Sequence, residues 1–232
     1  MEKIIPIADP QIYTEHNFLK SEFIELTDND LWDIKMQYPI LNIKNAEKQC
    51  FVRKEVYEHL IIAAGYLPKD YKFRIWDTWR PFALQKELYI SYSKDIIKEF
   101  SLENLSQADK ETVIRKFVSD PIPDKIIPPV HTTGGAIDLT IINSTGKELN
   151  MGCEFDAFTD KTCTAYFEET NEEEIKINRR LLYQVMTKAG FTNLPSEWWH
   201  YDYGDRFWAY YQKEPAIYKG VFTKEELQKG DI

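Results

Sequence analysis

Gly135-Ala136-Ile137-Asp138-Leu139-Thr140-Ile141-Ile142 is a run of strand-forming residues interrupted by one carboxylate. β-Branched and large apolar side chains suit a pleated, packed surface, so the segment reads as a core strand. Successive side chains leave a strand on opposite faces, which sends Asp138 away from its neighbours Ile137 and Leu139. A lone carboxylate in an apolar strand is costly unless it is paired or metal-bound. The segment therefore predicts a sheet strand whose one carboxylate has a partner, an ion pair or a metal.

Working outward, Tyr71-Lys72-Phe73-Arg74-Ile75-Trp76-Asp77 alternates and reads as a second strand. Pro81 suits the first position of a helix running to about Phe100. Earlier, Phe51, Val52, Val56, Leu60, Ile61 and Ala64 recur at roughly helical spacing, which predicts a helix from Glu47 to Ala64. Gly65 stands where a left-handed cap would end it. A further helix is expected from Ala108 to Val118, and Pro121, Pro123, Pro128 and Pro129 make the following segment an extended loop. Glu172 to Ala189 reads as a helix with Ile175, Leu181, Leu182 and Val185 inward, ended by Gly190. Trp198 to Tyr203 and Phe207 to Tyr211 read as short aromatic strands. Helices and strands mix without regular βαβ alternation. The expected class is α+β, one domain over residues 1–232, with a mainly antiparallel sheet flanked by helices.

Composition narrows the partners. Of 232 residues, 43% are hydrophobic and 29% charged, an ordinary globular mixture. The net charge is −9, and no Lys/Arg cluster is long enough to follow a phosphate backbone, which argues against nucleic acid. Lys44 to Lys54 is basic but interrupted by Glu47 and followed by Glu55, and reads as a solvated helix face. The N-terminal residues show no leader pattern and no segment approaches bilayer length, so a cytoplasmic chain without a membrane role is expected. Cys50, Cys153 and Cys163 are an odd number without CxxC spacing, which argues against a disulfide framework or a thiolate metal site.

Histidines are few: His16, His59, His131 and His200. His59 falls within a helical pattern and His16 in a polar stretch, and both read as structural or surface residues. His131 lies in a proline-flanked loop seven residues before Asp138, with Gly134 and Gly135 able to turn the chain back over the strand. His200 belongs to Glu197-Trp198-Trp199-His200-Tyr201, approached through Pro195-Ser196. Two imidazoles, one carboxylate and an open fourth position would make a catalytic zinc site, and a glutamate that is not a ligand would supply its base. On spacing alone, hydrogen-bonded loop residues account for the same pattern. Glu197 and His200 are separated by an odd number, so an ideal strand would send them to opposite faces. They share a pocket only if Glu197 sits on a bend before the strand.

Four segments, in order, narrow the reading. They are Trp76-Asp77-Thr78-Trp79-Arg80-Pro81; His131-x-x-Gly134-x-Ala136-x-Asp138-Leu139-Thr140; Met151-Gly152-x-x-Phe155-Asp156; and Asn178-Arg179-Arg180, continued by Gly190-Phe191 and Glu197-Trp198-Trp199-His200-Tyr201. Together they resemble the D-alanyl-D-alanine dipeptidases associated with vancomycin resistance, members of a zinc D,D-peptidase family. The resemblance runs from about Trp76 to Tyr201. It implies hydrolysis of D-alanyl-D-alanine or a closely related small D,D-dipeptide, with one zinc per chain in a cleft over the sheet. It assigns His131, Asp138 and His200 as ligands, Glu197 as acid/base, Arg80 as the group stabilising the tetrahedral intermediate, and Asp156 as the partner of the substrate ammonium. Without it, Arg80 would read as a solvated or paired arginine and Asp156 as a turn cap.

One position departs from the family. A serine usually stands two residues before the first zinc histidine and helps hold the substrate carboxylate; here that residue is Pro129, with neither a hydroxyl nor an N–H. Two alternatives follow from the same metal pattern. One is a zinc D,D-carboxypeptidase or endopeptidase acting on cell-wall peptide; the other is a zinc module that binds peptide without cleaving it.

Overall fold

The computed structural model describes residues 1–229. Its main sheet is built around the strand read first. β5 (Ala136–Ile142) lies at the centre, buried along its whole length. It pairs antiparallel with β4 (Lys72–Asp77) on one side and with β7 (His200–Asp202) on the other. Beyond β4, β2 (Trp32–Ile34) pairs in parallel; beyond β7, β6 (Thr192–Asn193) pairs antiparallel and closes the order β2-β4-β5-β7-β6. A separate ribbon joins β1 (Phe23–Leu26) to β3 (Cys50–Arg53).

Register explains where the polar face falls. Asp138 sits directly opposite His200 on β7. On the other side, a register shift between Ile75 and Asp77 brings Asp77 opposite Asp138. Such an irregularity re-aims a side chain at a sheet's edge or site. Here it adds a second carboxylate to the same spot.

The opposite face carries the core. α2 (Lys54–Ala64) and α5 (Glu173–Lys188) place Val56, Leu60, Leu182, Val185 and Met186 against Phe73, Ile75, Ile137 and Leu139. α3 (Phe82–Glu99) and α4 (Gln107–Ile114) form an excursion held by its own cluster of Ile96, Leu102, Ile114 and Val118. Short helices α1 (Gln37–Ile40), α6 (Arg206–Gln212) and α7 (Lys224–Lys229) complete the described chain. The architecture is mixed α+β with a mainly antiparallel sheet, as the sequence predicts. No described helix is long and apolar enough to cross a membrane.

Several elements differ from expectation. The helix expected over 47–64 starts only at Lys54; Cys50 to Arg53 is a strand, buried on both faces. Lys44 to Lys54 is accordingly no solvated helix face. Within it, Arg53 is buried and donates to the carbonyls of Ser21 and Thr133. Gly65 is right-handed, at φ −65°, so the chain leaves α2 through an ordinary turn. The helix from Ala108 to Val118 is regular only to Ile114. Pro81 is the residue before α3 rather than its first. Phe207 to Tyr211 is helical, because the Asp205 carboxylate accepts from the N–H groups of Phe207 and Trp208 and so starts α6.

Candidate active site

His131 reaches the sheet from a short 3-10 turn, Val130–Thr133. Gly134 ends that turn at φ +75°, and a Cβ there would stand 2.3 Å from the Phe23 ring. Only glycine fits this reversal, which carries the chain from the loop into β5. The turn is tied to the Trp76–Pro81 segment twice: Arg80 N–H donates to the His131 carbonyl (3.1 Å), and His131 Nδ1 lies 2.8 Å from the Thr78 carbonyl. A carbonyl only accepts, so Nδ1 carries the proton and Nε2 is left bare.

That bare nitrogen faces the other two predicted ligands. His131 Nε2 is 3.2 Å from His200 Nδ1 and 3.3 Å from Asp138 Oδ2, and His200 Nδ1 is 2.9 Å from Asp138 Oδ1. One ligand atom from each residue lies within 4.8 Å of the others, and all three side chains are buried. The outer nitrogen of His200 is held by Asp202 Oδ1 at 2.8 Å. Each imidazole is thus oriented by a partner behind it, as metal-ligating histidines are. Two nitrogens and a carboxylate converging in a buried pocket could hold a metal ion, and they are donor types that zinc takes.

The electrostatics agree. Burial works to raise the Asp138 carboxyl, but the two imidazoles outweigh it and hold it well below the usual range. Burial works against a charged His200, yet Asp202 and Asp138 push its pKa well above normal. A field that favours a proton between these groups equally favours a metal cation in its place.

Glu197 stands beside the cluster, its Oε2 3.9 Å from His200 Nδ1. It occupies the bend before β7, where its N–H donates to the Leu194 carbonyl and its carbonyl accepts from Asn193 Nδ2. The bend overcomes the parity of a regular strand. Burial of its surroundings pushes the Glu197 carboxyl up to about 8, with Asp138 and Asp156 adding to the rise and His200 and Arg80 opposing it. The side chain still keeps 26% of its surface open.

Arg80 lies under this group, nearly buried, and every arm has an acceptor. Nε donates to Asp77 Oδ2 (2.9 Å), Nη1 to Gln85 Oε1 (2.8 Å) and Nη2 to the Tyr38 hydroxyl (3.1 Å), with Asp138 3.9 Å away. Burial disfavours its charge, but Tyr38, Asp77 and Asp138 more than compensate, and the guanidinium stays protonated. Asp77, the residue delivered by the strand irregularity, fixes this arginine in place.

Asp156 completes the pocket. Its Oδ2 accepts from two phenols, Tyr38 (2.9 Å) and Tyr92 (2.8 Å). Burial, helped by the Asp138 charge, pushes its carboxyl up to about 6, against the two phenols and Arg80. The loop that carries it is pinned by the buried Arg179 of α5, which donates to the carbonyls of Met151 (2.8 Å), Lys161 (2.6 Å) and Cys163 (2.6 Å). The fourth sequence segment thus acts on the third: its arginine braces the loop bearing Asp156.

All six predicted site residues line one pocket together with Tyr38, Gln85, Tyr92, Phe117, Val118, Ser119, Pro129, Val130, Leu194 and Phe207. Its free volume is only about 40 Å³. A larger cavity of about 650 Å³ lies between residues 4–9 and β6, away from these charged groups. The small pocket is where the chemistry converges. The sequence reading missed Tyr38, Asp77, Gln85, Tyr92 and Asp202 as supports. His59 and His16 stay outside the pocket, as expected, bonded to the carbonyls of Ala189 and Thr14. The three cysteines are free thiols.

Comparison with known proteins shows the family. A family model described as peptidase M15, D-Ala-D-Ala dipeptidase, matches residues 40–218. The chain belongs to this family. A D-alanyl-D-alanine dipeptidase of Synechocystis sp. is 29% identical over 162 residues, covering 63% of this chain and 66% of that protein. An Escherichia coli K12 protein of the same description is 36% identical over 72 residues, or 31% of this chain and 36% of the relative. The chain thus matches just under two thirds of the first relative's length and about a third of the second's. A crystal structure of a vancomycin-resistance D,D-pentapeptidase mutant from a VanB-type cassette, with Zn(II), superposes with a TM-score of 0.42 at 15% identity, covering 75% of this chain and 85% of that one. The M15 match spans all four segments singled out in the sequence.

Proposed function

We propose that this M15 family member is a zinc-dependent dipeptidase that hydrolyses D-alanyl-D-alanine or a closely related small D,D-dipeptide, as a single domain. The supporting observation is the convergence of a three-residue metal cluster, a non-ligand carboxylate and a fully braced arginine in one small pocket. Zinc, held by His131, Asp138 and His200, supplies Lewis acidity at the scissile carbonyl and a lowered pKa for the attacking water.

The remaining work falls to the protein's own groups. Glu197 takes a proton from the attacking water as the new C–O bond forms, and gives it to the leaving nitrogen as the C–N bond breaks. Burial raises the proton affinity of this carboxyl, which suits the return of the proton, and a cation held beside it would favour the ionised form that takes the proton up. Arg80 offers positive charge where the carbonyl oxygen becomes an oxyanion; its fixed partners mean that little reorganisation is needed at that moment. Asp156, with Oδ2 occupied by two phenols, presents Oδ1 to the substrate ammonium. That ion pair sets the register of the peptide and excludes chains extended at the amino end.

Pro129 lines the pocket where family members usually have a serine. The substrate carboxylate therefore relies on other donors, and the preferred second residue of the dipeptide is open to change. The test is steady-state hydrolysis by the zinc-loaded protein of D-Ala-D-Ala, D-Ala-D-Ser and a longer stem peptide. Turnover of the dipeptides, with the stem peptide left intact, is the expected result. Cleavage of the stem peptide in preference would replace this reading with a carboxypeptidase or endopeptidase, and zinc binding without turnover would leave a peptide-binding module.

A further inference from the structure

Gln85 is buried in the first turns of α3, with a side-chain amide that spans two parts of the site. Its Oε1 accepts from Arg80 Nη1 (2.8 Å), and its Nε2 donates to the backbone carbonyl of Ser119 (2.9 Å). Ser119 ends the α3–α4 excursion, whose residues Phe117 and Val118 form an apolar wall of the pocket. That excursion has its own small core, so its wall is attached to the catalytic groups separately from the sheet. Ser119 is also the exposed residue among those around the pocket, which places the mouth beside it.

We infer that Gln85 is a positioning residue that couples this wall to Arg80, so that substrate length is read out as arginine placement. The inference rests on the proposed dipeptidase reading. Phe117 and Val118 wall one side of the pocket and Ser119 stands at its mouth, so a substrate that outgrows the pocket presses on that wall. A two-residue substrate needs a small displacement. A longer one must pass the mouth, carrying the Ser119 carbonyl out of reach of Nε2. The buried amide then loses a partner, and rotation to recover one takes Oε1 away from Arg80. A chain that props the wall open therefore meets an arginine with one fewer fixed contact. Discrimination against it appears in kcat and not only in KM.

Two variants separate the halves of the link. Gln85→Met keeps the volume and removes both bonds. Gln85→Glu keeps the acceptor for Arg80 and removes the donor to Ser119. Hydrogen exchange of residues 117–121 in the full-length zinc-loaded protein should rise several-fold in both. With D-Ala-D-Ala, Gln85→Met should lower kcat by roughly tenfold with KM nearly unchanged, the order expected for a charge-assisted bond. Gln85→Glu should lose less kcat than Gln85→Met while narrowing the preference for dipeptide over tripeptide. If either variant folds poorly, the same exchange is read in Glu197→Ala, where tripeptide should loosen residues 117–121 and dipeptide should not.

Unchanged exchange at the wall, or a Gln85→Glu protein as impaired as Gln85→Met, overturns the coupling. A wild-type protein that cleaves no dipeptide overturns the functional reading instead, and the exchange result then decides whether Gln85 ties the wall.

Discussion

The imidazole of His200 is clamped from behind by Asp202, whose Oδ1 lies 2.8 Å from Nε2, two residues along the same strand. The clamp decides which nitrogen faces Asp138, and so which is free to bind a metal. Asp202 is in turn backed by Asp205, a buried carboxyl whose pKa is pushed well above normal by burial and by Asp202 itself. Removing the clamp should leave the ligand in place but free its ring. We expect Asp202→Asn to weaken zinc binding by about 10–100-fold, measured by competition with a chelator. Wild-type affinity in this variant would mean that packing alone orients His200.

Ligand and base should separate cleanly. His200→Ala removes a donor from the cluster and should yield protein without stoichiometric zinc. Glu197→Ala should retain the metal, because its carboxylate stands 3.9 Å from His200 Nδ1 and outside the set of three. Its turnover should fall by about 10²–10⁴-fold, the usual worth of a placed acid/base. Metal analysis showing Glu197→Ala to be zinc-free would reverse these roles.

Arg80 is expected to act on the rate rather than on affinity. Loss of one oxyanion donor typically costs about 2.7–4 kcal/mol in the transition state. Arg80→Ala should therefore lower kcat by roughly two to three orders of magnitude with a modest change in KM. An effect confined to KM would make the guanidinium a ground-state contact for the substrate.

Arg179 tests the brace beneath Asp156. In Arg179→Met the stem survives, but the carbonyls of Met151, Lys161 and Cys163 lose a shared donor. Buried acceptors left without partners cost about 1–3 kcal/mol each, less what water recovers. A net loss of about 3 kcal/mol should lower the melting temperature by roughly 6–12 °C for a chain of this size. Calorimetry of the zinc-loaded protein checks this. A shift below about 2 °C would show that the loop is held by its other contacts.

How much of this was legible in the sequence varies with the range of the interaction. β5 and Asp138 were readable because strand alternation and the cost of a buried carboxylate are local facts. His131, Asp138 and His200, which the structure brings together, are singled out in the sequence through the ordered segments that resemble a family. Cys50 to Arg53 merges with the helical pattern in the sequence because a short, fully buried strand running straight into a helix has no period of its own to mark the boundary. The helix after Asp205 carried a cap signal that its aromatic residues obscured. Tyr38 and Tyr92 come from distant elements to one oxygen of Asp156, and nothing local announces either. Gln85 and Asp77 depend likewise on a helix packing and a register shift that only the assembled sheet defines.

Asp156 yields the prediction that bears most directly on substrate class. Both phenols occupy Oδ2, so Oδ1 is the atom offered to an ammonium group. An N-acetylated dipeptide brings neither the charge nor the space for it, and leaves a desolvated carboxylate unpaired. Truncating one side of such a pair costs about 2–5 kcal/mol, so kcat/KM should favour the free dipeptide by roughly thirtyfold to several-thousandfold. The charge also sets a pH dependence. Burial lifts the Asp156 carboxyl to about 6, which means that acid neutralises it earlier than an ordinary aspartate. Part of that rise comes from Asp138, whose charge a bound cation offsets, so the midpoint in the loaded enzyme should lie at or below about 6. As pH falls through that value Asp156 takes up a proton, the ion pair is lost, and kcat/KM for the free dipeptide should decline. The acetylated substrate, which never forms the pair, should lack this limb. Asp156→Asn should remove it for the free dipeptide and shrink the discrimination between the two substrates. The measurement is kcat/KM for both substrates from pH 4.5 to 8, a range chosen to span about 1.5 units below and 2 above the expected midpoint. Near-equal wild-type values for free and acetylated dipeptide would remove Asp156 from substrate recognition and turn the assignment towards a peptidase that accepts longer chains.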